Sequence, residues 1–553
     1  MTYAQLCAGS PRFADPALQR AAADGGVPAA WAIAIQKGAP QAAVGVDGDF
    51  AVALREPSGR TFLAVDRFGI RTLCYRLVGD VLRFAERADV LADPGHEIDA
   101  QAVFDYLYFH AIPSPRTIFK NVHRLPPGHY ALFEHGRLEV APYWSPRFEE
   151  VRSPNFAGLR EEFLGLLKDA VARQLDGSKP ACFLSGGTDS STLAGMIRKV
   201  GGAPSATYSI GFDAEGYDEM AYARIAARHF GTDHHEYYVT PDDLVRSIGS
   251  VARHYDQPFG NSSALPAYYC AKMARADGVT RILAGDGGDE VFGGNSRYAM
   301  QRIFGAYGHL PAAVRRGLVE PVLRAPGAAR LPLLRKAASY VRQANTPMPD
   351  RLQNYNLLLR LGAEEVLTDG FLSRVDQTLP LQQQREVWRS ASTSSDLNRT
   401  LAYDWRYTLA ESDLPKVGMT TELAGLSVGY PLLDGALVDF SLRLPARYKL
   451  RGLRLRWFFK EALRGFLPDA IIAKKKQGFG LPFGTWVTRH DGLRRLATES
   501  LGSLATRGIV RPAFISSLLT HRVQEHPSYY GEMVWILMML EQWLQGRQVD
   551  VLD

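Results

Sequence analysis

The sequence predicts an α/β protein of two domains: a strand-rich domain over residues 1–145, and a parallel sheet covered by helices, ending in a helical part, over residues 156–553. Three observations predict it. A chain of 553 residues exceeds what one hydrophobic core usually supports. Residues 29–145 alternate short apolar runs with turn signals, whereas from Phe156 onward helical periodicity dominates and short apolar runs punctuate it. Between the two patterns, residues 145–155 are polar and carry Pro146 and Pro154, the composition of a linker.

In the first domain, strands are expected at 31–35, 50–54, 62–65, 82–84 and 130–133. In the second, strands at 181–184, 206–210 and 281–284 alternate with longer helical segments, the pattern of a parallel sheet. Residues 301–345 are rich in Arg and Leu and read as helical, with no evident chemistry. The most apolar stretch, 533–540, falls far short of the roughly 20 residues that span a bilayer, so it reads as a buried C-terminal helix.

Hydrophobic residues at 46% and charged residues at 22% are ordinary for a globular protein and argue against disorder. The net charge is +6, but the basic residues are spread along the whole chain, without the interleaved aromatics of a strand-binding groove, so no nucleic-acid partner is expected. Cys7, Cys74, Cys182 and Cys270 lack both a disulfide framework and metal-ligand spacing. No secretory signal is visible, and a cytoplasmic protein with no membrane partner is expected, with a homodimer left open.

The sharpest signal is Leu184-Ser185-Gly186-Gly187-Thr188-Asp189-Ser190-Ser191, which follows an apolar strand and opens a helix over 192–200. Adjacent glycines let several backbone N–H groups face one anion while the helix presents its positive end. Ser185, Ser190 and Ser191 offer hydroxyl donors, and Asp189 is an oxygen ligand suited to Mg²⁺. The G-K-[ST] ending of a Walker loop is absent. A second cluster, Ala284-Gly285-Asp286-Gly287-Gly288-Asp289-Glu290-Val291-Phe292-Gly293-Gly294, also follows a strand directly. Departing pyrophosphate must be neutralised from more than one loop, and Asp289 supplies a second carboxylate opposite Asp189.

These strings resemble the pyrophosphate-releasing loop of ATP pyrophosphatases and, in the acidic cluster, the signature of glutamine-dependent asparagine synthetases. Tyr208 to Phe212, Asp256 to Phe259, Tyr430 to Asp434 and Lys476-Gln477-Gly478-Phe479-Gly480-Leu481-Pro482-Phe483 extend the resemblance over roughly residues 156–545. It implies that ATP is cleaved between its α and β phosphates with Mg²⁺, and that a carboxylate is activated as the acyl-adenylate. It further implies that Leu184 to Gly187, Asp189 to Ser191, Ile210 and Gly285 hold the nucleotide. Asp189 and Asp289 would bind the metal. Asp286 would shape the acyl-AMP site, and Lys476 would stabilise charge at the reacting centre.

The N-terminal segments around Gly48-Asp49-Phe50, Asp66 to Arg71, Pro113 to Phe119 and Leu125 to His129 resemble a glutaminase of the N-terminal-nucleophile class. Such enzymes use an N-terminal cysteine, whereas Thr2 follows Met1 here, and the Arg-Gly-Pro-Asp segment that grips glutamine is missing. That loss resembles β-lactam synthetase and the lasso-peptide cyclases. Ser427-Val428-Gly429 stands where most asparagine synthetases carry Glu-x-Arg, removing two charges expected near the acyl substrate. The expectation is an amide ligase acting on a small-molecule or peptide carboxylate, with ammonia or a substrate amine as nucleophile. The alternatives are a peptide cyclase or β-lactam-synthetase-like enzyme, a binding homologue without catalysis, and a tRNA-modifying enzyme. The last would need a paired-cysteine site or a basic RNA module that is not visible.

Overall fold

The computed structural model describes residues 4–214, 216–308, 310–325, 330–475 and 480–547. In its N-terminal part, Ala4–Gly9 (β1), Phe50–Arg55 (β2), Thr61–Val65 (β3), His129–Glu134 (β4) and Arg137–Pro142 (β5) form one antiparallel sheet in that order. Alternation along β2 explains its burial on both sides. Phe50, Val52 and Leu54 pack with Phe13, Trp31 and Phe62, while Ala51 and Ala53 face Leu63, Tyr75 and Leu82. The layer over the first face is the helix Pro16–Ala34.

That helix corrects one expectation: residues 31–34 are helical and Ile35–Lys37 is a 3₁₀ turn, not a strand. The apolar run Trp31 to Ile35 lies within an alanine-rich stretch of high helix propensity, and Trp31 with Ala30 and Ala34 makes the buried face. The other expected strands appear, within a residue or two of the expected ends.

The second sheet is entirely parallel, in the order Asp233–Val239 (β8), Ala206–Phe212 (β7), Ala181–Phe183 (β6), Arg281–Leu283 (β9) and Ser427–Gly429 (β10). Chain order runs outward on one side of β6 and then resumes on the other at β9. The carboxyl ends of β6 and β9 therefore flank a topological switch point, where open α/β sheets place their ligands. Helices Phe156–Gln174 and Thr188–Gly201 cover one face, anchored by Phe163, Leu167, Leu193 and Ile197.

The two parts share one hydrophobic core. Helix Ala100–Phe109 contributes Phe104, Tyr106 and Leu107 to the cluster that contains Trp535, Leu537 and Trp543 of the C-terminal helix Pro527–Arg547. Tyr106 donates its hydroxyl hydrogen to the Ile536 carbonyl at 2.8 Å. Glu411, buried, accepts from Ser114 N at 3.0 Å and Ser114 Oγ at 2.8 Å, and is paired with Arg124 and Arg406. No helix among the described residues is long and apolar enough to cross a membrane.

Candidate active site

Since Cys182 pairs with Leu283 across β6 and β9, the loops leaving those two strands run side by side. The first is tied to itself: Ser185 N donates to Ser190 Oγ at 3.2 Å, Gly187 N donates to Ser185 Oγ at 3.3 Å, and the two serine hydroxyls are 3.1 Å apart. Gly186 adopts a φ of 68°, and a side chain there would collide with the backbone of Tyr222 and Ala223. Gly288, opening the short helix Gly288–Phe292, lies against the Asp189 carboxylate and the Arg456 guanidinium, so a Cβ there would displace both charged groups.

Between the loops lies a cavity of about 1060 Å³, at the top of the roughly 300–1,000 Å³ usual for ligand pockets. Of the residues expected to hold nucleotide, metal or acyl group, Leu184, Ser185, Gly187, Asp189, Ser190, Ile210, Gly285, Asp286 and Asp289 line it. Gly186 and Ser191 are not in its wall. Ser191 is fully buried with its Oγ unpartnered among the described residues, so the expected hydroxyl donor faces protein rather than the cavity. Lys476 lies outside the described residues. Ser427 and Gly429 belong to β10 and do not line the cavity either. Ser427 N bonds the Thr280 carbonyl, and Gly429 packs against Gln174, Leu283 and Arg281, which leaves no room there for a larger side chain.

Arg456 is the residue that sequence reasoning missed. It sits at φ 53° before helix Trp457–Ala462, is 4% exposed, and lays its guanidinium 4.5 Å over the Phe459 ring. Its Nη1 donates to Asp189 Oδ2 at 2.6 Å and Thr188 Oγ1 at 2.8 Å and is 3.2 Å from Asp289 Oδ1, while Nη2 donates to Asp189 Oδ1. Carboxylates from two loops thus converge on one positive charge. Among the described residues no cluster of three or more His, Cys, Asp or Glu could form an all-protein metal cage. Mg²⁺ is ordinarily held by one or two carboxylates, with water and substrate phosphate completing the shell, and the Asp189–Asp289 pair fits that requirement.

The far end of the cavity is acidic and buried. Lys416 Nζ lies 3.2 Å from Asp286 Oδ1 and 3.1 Å from Asp413 Oδ1. Burial alone would depress this lysine, but the two carboxylates outweigh it and hold the ammonium charged. Burial first, then the neighbouring Asp413 and Asp404, push the Glu290 carboxyl up to about 8. At the opposite rim, Lys460 Nζ donates to the Ile472 carbonyl at 2.7 Å, and Lys474 pairs with Glu219 at 2.8 Å while lying 4.7 Å over the Tyr222 ring. Lys474 and Lys475 both line the cavity. Arg456, Lys460, Lys474 and Lys475 thus bring positive charge to the cavity wall, and Asp286 and Asp413 share a half-buried lysine.

The family model described as asparagine synthase matches residues 162–545, the sheet, both loops and the whole cavity wall. The chain belongs to the asparagine synthase family. A glutamine amidotransferase domain model matches residues 30–144. The asparagine synthase family is one of ATP-dependent ligases that make amide bonds, and the matched region contains every residue that lines the cavity. Asparagine synthetase [glutamine-hydrolyzing] 1 of Bacillus subtilis is 25% identical over 489 residues, covering 87% of this chain and 74% of that protein. A putative asparagine synthetase 2 of Methanocaldococcus jannaschii is 37% identical over 246 residues, 43% of this chain and 47% of that one. Amidase chyE of Penicillium rubens is 26% identical over 542 residues, covering 84% and 76%. Among solved structures, a glutamine phosphoribosylpyrophosphate amidotransferase from B. subtilis matches at 12% identity with a TM-score of 0.17, covering 51% of this chain and 61% of that one, which carries no weight for the fold.

Proposed function

We propose that this member of the asparagine synthase family is a Mg²⁺-dependent, AMP-forming amide ligase that does not draw its nitrogen from glutamine. The observation that carries the adenylation half is the convergence of Asp189 and Asp289 on one cation, beside the Ser185 loop. A substrate carboxylate oxygen attacks the α-phosphorus, and the bond to the β-phosphate oxygen breaks. An amine nitrogen then attacks the acyl carbon, loses a proton and expels AMP. Mg²⁺, when bound, neutralises charge on the leaving pyrophosphate. The chain's own residues divide the rest. The Ser185–Gly187 turn and the following helix hold phosphate oxygens. Arg456, Lys460 and Lys474 set a positive field on that side, and Lys416 fixes Asp286 at the acyl end. Lys476 is assigned to charge stabilisation at the reacting centre by its motif alone.

Two features support the nitrogen half. No Arg-Gly-Pro-Asp segment occurs between Cys7 and Gly48. The crevice beside Gly48 and Asp49, lined also by Arg12, Ile70 and Tyr430, measures about 20 Å³, room for about one water molecule. The substrate is read as the side-chain carboxylate of aspartate or a related acid. The size of the main cavity favours, as a second reading, a larger carboxylate that carries its own amine, as in peptide cyclisation or β-lactam formation.

The test supplies aspartate, ATP and Mg²⁺ with either ammonium or glutamine and measures asparagine, AMP and glutamate separately. Asparagine and AMP from ammonium, with no glutamate from glutamine, are expected. Glutamate released in step with amide formation contradicts the proposal. AMP without asparagine under either donor directs the search to the amine-bearing substrate.

A further inference from the structure

Residues 301–345 hold eight arginines and lysines against a single acidic residue, Glu320, a surplus of seven positive charges that exceeds the +6 of the entire chain. The rest of the protein is therefore close to neutral, and its basic character resides in one segment. That segment is a helical lobe. Helix Ser296–Gly308 packs against helix Pro332–Asn345, and between them Ala312–Val314, a π-helical turn Arg315–Val319 and Glu320–Arg324 run on as one rod. The lobe turns its aromatic residues inward: Phe304 and Tyr307 are buried, their ring centroids 5.4 and 6.1 Å from that of Tyr340.

Its outer side is unusual for a protein surface. Val314, Leu318 and Val322, spaced four residues apart on the rod, are exposed, as are Leu310 and, at the start of the last helix, Leu331 and Leu333, the latter 81% exposed. Residues at that spacing form a stripe on one helix face. Arg316, Arg335 and Lys336 of the same lobe are exposed, and none of the three takes part in an ion pair among the described residues. A lobe that exposes both leucines and unneutralised basic residues has the composition of an interfacial amphipathic element: apolar side chains enter the headgroup–acyl boundary, and the basic ones meet lipid phosphates.

We propose that this lobe docks the protein on an anionic phospholipid bilayer, lying on the membrane surface and not crossing it. The proposal departs from the sequence-based expectation of no membrane partner, and it does not depend on the reaction assigned to the cavity. Charge decides against a second copy of the chain as occupant, because two faces with this surplus repel each other. Nucleic acid is disfavoured because the exposed apolar side chains are aliphatic and the rings of Phe304 and Tyr307, on which bases would stack, are buried.

The experiment is co-sedimentation of the full chain with vesicles of phosphatidylcholine alone and of phosphatidylcholine mixed equally with phosphatidylglycerol, at low and high salt. Binding to the anionic vesicles only, weakened by salt, is expected. The charge-reversed variant Arg316→Glu/Arg335→Glu/Lys336→Glu should lose about 100-fold or more in affinity, and Leu318→Asp/Leu333→Asp about 10-fold or more. All five positions are solvent-exposed, and an unchanged thermal midpoint verifies that both variants fold; the salt and lipid dependence of the unaltered chain stands without them. Equal binding to neutral vesicles, no sedimentation with either, or full binding by the charge-reversed variant overturns the proposal. So does the finding that these substitutions abolish self-association or oligonucleotide binding while vesicles are ignored.

Discussion

Asp189, Asp289 and Arg456 form the triplet on which the proposed chemistry turns: two carboxylates from two loops are held within reach of one guanidinium. Removing either negative charge while keeping the side-chain shape should therefore reach catalysis before it reaches folding. Asp189→Asn and Asp289→Asn are each expected to lower ATP turnover by about 10²-fold or more, the usual effect of losing one preorganised electrostatic group. Steady-state rates of AMP release measure it, and near-normal turnover in a folded variant would reduce these carboxylates to turn residues. Glu290 gives a prediction of another kind. Its folded pKa is raised from 4.5 to about 8, so between those values the folded state holds a proton that the unfolded state has released, and stability falls as pH rises through that window. Glu290→Gln removes the titration. Chemical denaturation across the window should show a flatter pH dependence for the variant and a stability gain relative to the parent protein that grows toward pH 8. Parallel pH curves for the two proteins would mean that Glu290 is ionised throughout.

At the level of elements, the interface between the glutaminase-like part and the synthetase part rests on a buried carboxylate. Glu411 satisfies Ser114 from one side of the interface, Arg124 from the same side and Arg406 from its own. Burial works against its charge, but the two guanidiniums outweigh burial and keep it ionised. Glu411→Ala leaves two part-buried arginines without their anion, a loss of about 3–5 kcal/mol for a buried pair broken on one side. Denaturant unfolding should register that loss, whereas a change below about 1 kcal/mol would place the pair in the class of surface bridges.

Elements of this kind were unevenly legible in the sequence. Strands β2, β3, β6, β7 and β9 announce themselves because burial on both faces makes them short apolar runs bounded by turns. Strand β8, Asp-His-His-Glu-Tyr-Tyr-Val, lies at the sheet edge with only Val239 buried, so no apolar run marks it. Trp31 misled for the opposite reason, since a large apolar residue in an alanine-rich helix looks locally like a strand. The two site loops were legible because glycines and carboxylates cluster within a few residues. Arg456, Lys416 and Asp413 were not, because each is a single polar residue outside any motif, Arg456 just before a helix and the other two within helical segments, and only the fold carries them to the cavity. A charged residue inside the apolar run Leu414 to Val417 was the one signal available for Lys416.

Over the whole molecule, the part that matches a glutamine amidotransferase domain contributes to a core shared with the synthetase part. Phe104 and Tyr106 pack with Trp535 and Leu537, so the first 145 residues stabilise the synthetase sheet whatever becomes of glutamine. The reaction proposed for the large cavity is one in which ATP is split between its α and β phosphates to activate a carboxylate. The most direct test follows the phosphorus. The full chain is incubated with Mg²⁺, ATP, labelled pyrophosphate and a panel of carboxylates, and both label exchange into ATP and the nucleotide product are recorded. Carboxylate-dependent exchange with AMP as the product is predicted; ADP and inorganic phosphate as the products, with no exchange, would contradict the account.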